Sequence, residues 1–180
     1  MIKIPFIETT IFLTALWVLV RLIIYLKTGK ADLKRELLLL LVYVCIMVAA
    51  RVTFFPFGKI EGKVQPLLFD INQIFPPKIN LIPFVYLFDY PELKSALLNL
   101  IGNYALFIPM GIVWPSVFKE LNSHLKVLLA GFGFSMIIEI LQLPFFERTS
   151  DIDDLILNFS GYLTGYLIYL LFIKIKKHFN

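Results

Sequence analysis

The amino-acid sequence predicts an all-α membrane protein, a bundle of about five transmembrane helices with an interfacial or re-entrant outer segment. Three observations predict it. Hydrophobic residues make up 59% of the 180 and charged residues only 17%, whereas a soluble domain is closer to roughly half apolar and a quarter charged. Five stretches reach the roughly 20 apolar residues that a spanning helix needs. Basic residues cluster at the ends of those stretches instead of on one face, so the net charge of +4 reads as a topology signal and not as a nucleic-acid footprint. One bundle uses the whole length, so residues 1–180 are expected to form a single domain.

The spans are expected near Ile7–Leu26, Leu37–Phe57, Ala96–Phe118, Leu125–Phe145 and Leu155–Ile175. The first is too long for a signal-peptide core and no small-residue cleavage motif follows it, so it is expected to stay in the membrane. Lys27, Lys30, Lys34 and Arg35 crowd the next loop, Lys119 and Lys126 flank the loop after the third span, and Lys174, Lys176 and Lys177 follow the fifth. The positive-inside rule places all three clusters in the cytoplasm. The amino terminus is then outside, the carboxyl terminus is cytoplasmic, and the protein is multi-pass in the cytoplasmic membrane. Glu61, Asp70, Asp89, Glu92, Glu147, Asp151, Asp153 and Asp154 all fall in the outer loops. Arg21, near the inner end of the first span, is expected to snorkel.

Residues 58–95 are too apolar for a free loop and too broken by Pro66, Pro76, Pro77, Pro83 and Pro91 to span. An interfacial or re-entrant stretch over the outer end of the bundle is expected, with a surface amphipathic helix as the alternative. Pro109 and Gly111 are expected to kink or thin the third span. Gly161 and Gly165, with Ser160 and Thr164, form a small-residue face suited to close helix packing. Cys45 is the only cysteine, which rules out an internal disulfide; it reads as a small core residue. His124 and His178 read as solvated end residues.

Polar residues inside such helices are expensive and point to function. Asn99 and Asn103 are four apart, Glu139 and Gln142 three apart, and Asp154 and Asn158 four apart, so each pair shares a helix face. In the expected topology all three pairs lie in the outer third of the membrane. Arg51 and Arg148 are the counter-charges available to Glu139, while Asp151 or Asp153 can cap the fifth helix. Structural glue between helices is the competing reading for the amides. Glu139 and Asp154 are the candidate catalytic groups, with no cofactor indicated. No pair of histidines or thiolates stands at ligand spacing, so no structural zinc site is expected; a hard cation on Glu139, Asp151 and Asp154 stays open but has no diagnostic motif, so no metal site is assigned. No nucleophile elbow, P-loop or dinucleotide fingerprint is present.

At these residues the chain resembles the VanZ family of bacterial membrane proteins. The resemblance rests on Arg51-Val-Thr-Phe-Phe-Pro56, Asn80-Leu-Ile-Pro-Phe84, the run from Asn99 to Gly111, Glu139-Ile-Leu-Gln142, Arg148, and Asp151 to Asn158 with Gly161 and Gly165. Their order and spacing cover residues from about 51 to 165. The resemblance implies binding roles for Arg51, Asn80, Asn99, Asn103, Gln142, Arg148, Asp151 and Asn158, beside Glu139 and Asp154. It also implies a role in lowering susceptibility to teicoplanin, a lipoglycopeptide antibiotic, most often in Gram-positive bacteria, by no settled reaction. Expected partners are membrane lipid and either a lipid-linked envelope precursor or a lipoglycopeptide. The alternative is a membrane enzyme acting on a phospholipid or lipid-linked head group, with Glu139 as general acid or base and the two arginines holding phosphate. A transporter fits less well, because no inverted repeat is visible.

Overall fold

Each of the five apolar stretches forms one helix in the computed structural model, which describes residues 1–29, 32–55, 59–60, 62–85 and 93–179. They are α1 (Phe6–Thr28), α2 (Leu33–Phe54), α3 (Leu93–Val117), α4 (His124–Gln142) and α5 (Ile152–Phe179). All five are long and apolar enough to cross a membrane, and the chain is a multi-pass membrane protein. Lys30, Pro56, Glu61, Asp89, Pro91, Glu92 and residues 86–88 lie outside the described residues.

Local chemistry sets the helix ends. The Asp32 carboxylate accepts from the backbone N–H groups of Lys34 and Arg35, so α2 starts four residues before its apolar run. Ser123 caps α4 in the same way. That helix ends at Gln142 and not at Phe145, because Leu143, Pro144 and Phe145 turn out of it. Asp151 accepts from Asp153 N–H at 3.0 Å and caps α5.

The tightest pairing is between α3 and α5, which run side by side in the same direction. Gly161 lies against the Tyr104 carbonyl, Gly165 against that of Ile108, and Gly111 against that of Tyr162. The small-residue face is therefore a backbone contact surface. Gly111 thins α3 for this approach, as expected, and the helix continues past Pro109 to Val117. Tyr104 and Thr164 hydroxyls meet at 2.8 Å on the same seam. Phe107, Met110, Val127 and Tyr162 are fully buried around it.

α4 lies antiparallel to α5. It is tied by His124 Nδ1 to the Tyr166 hydroxyl at 2.7 Å near one end and by Asn158 Nδ2, donating to Ser135 Oγ at 3.1 Å, toward the other. His124 thus has a partner, although its ring stays exposed as expected. Cys45 is buried as a small core residue. α1 is outermost and buries no residue. It meets α2 through Thr14 and Tyr43 at 2.5 Å and through an Arg21–Glu36 ion pair. Arg21 is therefore paired with Glu36 of the neighbouring helix.

Short strands close the end of the bundle where α2 and α4 finish and α3 and α5 begin. β1 (Ile2–Ile4) precedes α1, β2 (Lys59–Ile60) pairs antiparallel with β3 (Lys63–Val64), and β4 (Leu67–Phe69) pairs antiparallel with β1. A 3₁₀ turn at Ile71–Ile74 leads to β5 (Ile79–Asn80), which runs parallel to β6 (Ser150–Asp151), with Asn80 opposite Asp151. Among the described residues this segment holds no amphipathic α-helix. It is an extended cap, tied by backbone hydrogen bonds to the α4–α5 connection. Lys27, Lys34, Lys126 and Lys176 stand at the opposite end of the helices.

Candidate functional site

The site forms where the cap meets four helix ends. Its central side chain is Glu139, one turn before the end of α4 and 6% exposed. Glu139 Oε2 accepts from Asp151 N–H at 2.9 Å. Oε1 is buried and has no hydrogen-bond partner among the described residues. The sequence reading offered Arg51 or Arg148 as counter-charge, and neither forms an ion pair with Glu139. Arg51 donates to the Phe55 carbonyl at 2.9 Å with its guanidinium over the Phe6 ring, and Arg148 Nε donates to the Phe54 carbonyl at 2.9 Å. Both arginines close the end of α2, where helix carbonyls lack intrahelical partners. Burial pushes the Arg148 guanidinium below its usual pKa; Glu147 and Asp154 oppose this and Arg51 adds to it.

Asp151 organises the rest. Its Oδ1 accepts from Asn80 Nδ2 at 3.1 Å as well as from Asp153 N–H. Asn80 Oδ1 in turn accepts from Ile82 N–H at 3.1 Å, and Asp153 accepts from Phe84 N–H at 2.8 Å. The Asp-Ile-Asp turn thus clamps the cap onto α5. One full turn inside, Asn103 Nδ2 donates to Asp154 Oδ1, joining α3 to α5. Deeper still, fully buried Asn158 reaches Ser135 on α4. Gln142 Nε2 donates to the Thr53 carbonyl at 2.8 Å, joining α4 to α2.

The structure therefore brings Asn80, Asn103, Glu139, Gln142, Arg148, Asp151, Asp154 and Asn158 to one end of the bundle. Arg51 lies at the edge of that cluster, and Asn99 faces the groove between α2 and α3. Sequence reading missed Thr53 and Ser135. Ser135 sits four residues before Glu139 on the same helix face, and that spacing was the available signal. The arrangement is rich in acceptors: Glu139 Oε1, Gln142 Oε1 and Asn158 Oδ1 are all buried without a partner among the described residues. Each such oxygen costs about 1–3 kcal/mol when unmatched, and each can accept from a hydrogen-bond donor. Among the described residues, no three His, Cys, Asp or Glu side chains are set to hold one metal ion.

Asn80 is the joint between cap and bundle. We expect Asn80→Ala to cost about 1–3 kcal/mol by removing the hydrogen bond to the Asp151 carboxylate and the one from Ile82 N–H. Limited proteolysis would then cut within residues 62–85 before the helices are touched.

No curated protein and no solved structure matches the chain. A family model does: residues 39–173 match VanZ/LLP1, a stretch that contains every side chain of the cluster from Arg51 to Asn158. On that match the chain belongs to the VanZ/LLP1 family.

Proposed function

We propose that this protein acts at the outer face of the cytoplasmic membrane of a Gram-positive bacterium and lowers susceptibility to teicoplanin-type lipoglycopeptides. The observation that carries the reading is the buried network around Glu139 and Asp154, built by family-matched residues at the end opposite the lysine-bearing helix ends. With the lysines inside, the amino terminus and the cluster are outside, where such antibiotics act. Membrane lipid and a lipoglycopeptide or lipid-linked envelope precursor are then the partners. The binding side chains are Arg51, Asn80, Asn99, Asn103, Gln142, Arg148, Asp151 and Asn158.

The unmatched Glu139 Oε1 favours a second reading, an enzyme acting on a phospholipid or lipid-linked head group. In that reading Glu139 exchanges a proton with the substrate, Asp154 orients it, and Arg51 and Arg148 hold its phosphate.

The test is teicoplanin and vancomycin susceptibility of a sensitive Gram-positive host expressing wild type or Asp154→Asn at equal membrane abundance. Asparagine keeps an acceptor for Asn103 and removes the charge. The expected result is a teicoplanin-selective fall in susceptibility for wild type that Asp154→Asn loses. An abundant wild type with no shift overturns the antibiotic reading, and conversion of a lipid-linked substrate by the purified protein would establish the second.

A further inference from the structure

A groove of about 960 Å³ runs along the seam between α2 and α3, near the upper limit of the roughly 300–1,000 Å³ usual for ligand pockets. Its α2 wall extends from Leu41 to Val52 and its α3 wall from Leu98 to Pro109. Each wall covers eleven helical steps, about 16 Å at 1.5 Å per residue. That is the depth of one leaflet, about half of the roughly 30 Å hydrocarbon core. Both helices are membrane-crossing by length and composition, so the medium beside the groove is lipid.

The polarity of the lining is graded along its length. Among the described residues, Asn99 and Asn103 are its only polar side chains apart from the Cys45 thiol, and both stand at the cluster end. Asn103 gives its amide nitrogen to Asp154. What it can offer the groove is an acceptor oxygen, with a carboxylate directly behind. Below them the wall is aliphatic, and between them Gly102 leaves the lining open, since a Cβ there would meet no atom within 4 Å. An apolar slot one leaflet deep, with acceptors at head-group depth, is the shape and charge complement of a single-leaflet amphiphile. The polar residues of the groove stand at the cluster end whichever way the chain is inserted, so its use does not depend on the antibiotic reading.

We propose that the α2–α3 groove binds one bilayer phospholipid, its acyl chain along the aliphatic wall and a hydrogen-bond-donating head group at Asn99, Asn103 and Asp154. A lipid held there presents its head group to the buried cluster.

The test uses the full chain in phosphatidylcholine nanodiscs doped with phosphatidylethanolamine carrying a photoreactive diazirine on one acyl chain. Adducts are mapped by mass spectrometry. Labelling is expected to concentrate on the facing walls of α2 and α3 and to fall in Gly102→Leu to the level seen on the α1 and α5 faces. The added Cβ meets no atom within 4 Å, and an unchanged melting temperature certifies the fold. A diazirine-bearing phosphatidylcholine, which has no donor in its head group, is expected to label the groove only weakly. Three outcomes each overturn the proposal. They are even labelling of all lipid-facing helices, groove labelling indifferent to Gly102→Leu or head group, and groove occupancy by an acylated glycopeptide or a second copy of the chain in place of phospholipid.

Discussion

Gly161→Leu or Gly165→Leu is expected to collapse the protein, while the same substitution at Gly102 or Gly133 leaves it folded. The difference is in what a side chain would meet. At Gly161 and Gly165 a Cβ falls on the carbonyl oxygens of Tyr104 and Ile108; at Gly165 it also comes to 2.9 Å from the Ile108 carbonyl carbon and 3.1 Å from Gly111 Cα. These are backbone atoms of a neighbouring helix and cannot swing aside as a side chain does. Accommodation requires α5 to move away from α3, which opens the core around Phe107, Met110 and Tyr162. Overpacking against yielding side chains costs about 1–3 kcal/mol, and a rigid backbone seam should exceed that. At Gly102 and Gly133 nothing lies within 4 Å, and leucine improves helix propensity by up to about 1 kcal/mol. Membrane abundance and detergent melting curves for the four variants check this. Equal tolerance at all four positions would show that α3 and α5 are not in backbone contact.

How much of this could be read from the chain depends on the range of the interaction. Hydrophobic runs report on single helices, and all five were legible. α1 came out at Phe6–Thr28 against an expected Ile7–Leu26, and α5 at Ile152–Phe179 against Leu155–Ile175. The ends moved because apolar counting ignores caps: Asp32 and Asp151 start helices through residues that look like loop. Helical spacing also grouped Asn99 with Asn103 and Asp154 with Asn158, and four helix ends did bring most of the cluster together. Apolar content broken by prolines did mark residues 58–95 as a stretch over that end of the bundle, but the pairing inside this cap was not legible. Its strands are two or three residues long, too short for alternation to register, and the Asn80–Asp151 bond joins positions 71 apart. The partner of Glu139 was misjudged for a related reason. A search for counter-charges considers side chains, whereas the structure satisfies Oε2 with a backbone N–H, which no residue type announces. Ser135 and Thr53 were passed over because small hydroxyl residues inside membrane helices usually bond their own backbone. Thr53 does that, with its hydroxyl on the Ala49 carbonyl at 2.9 Å, and it is its carbonyl that receives Gln142.

Glu139→Gln is expected to leave the fold intact and return teicoplanin susceptibility to that of the empty host, whereas Glu139→Ala should lower abundance as well. The two variants separate charge from structure. Glutamine keeps one oxygen to accept from Asp151 N–H and fills the same volume. It replaces the unmatched Oε1 with a donor, so a buried acceptor becomes a group that repels a cation or donor. Alanine removes the acceptor altogether. Asp151 N–H is then unmatched at the point where β6 meets α5, a loss of about 1–3 kcal/mol with a further contribution from the space left behind. If Glu139 only glues helices, Gln should behave almost as wild type in both assays, since an amide serves a neutral network at least as well. If the carboxylate is the working group, abundance stays level while function disappears. A Gln variant that is both abundant and active would remove Glu139 from the functional site. Asp154 and Asp151, whose Oδ1 holds Asn80 and the Asp153 N–H, would then be the acidic groups still to be tested.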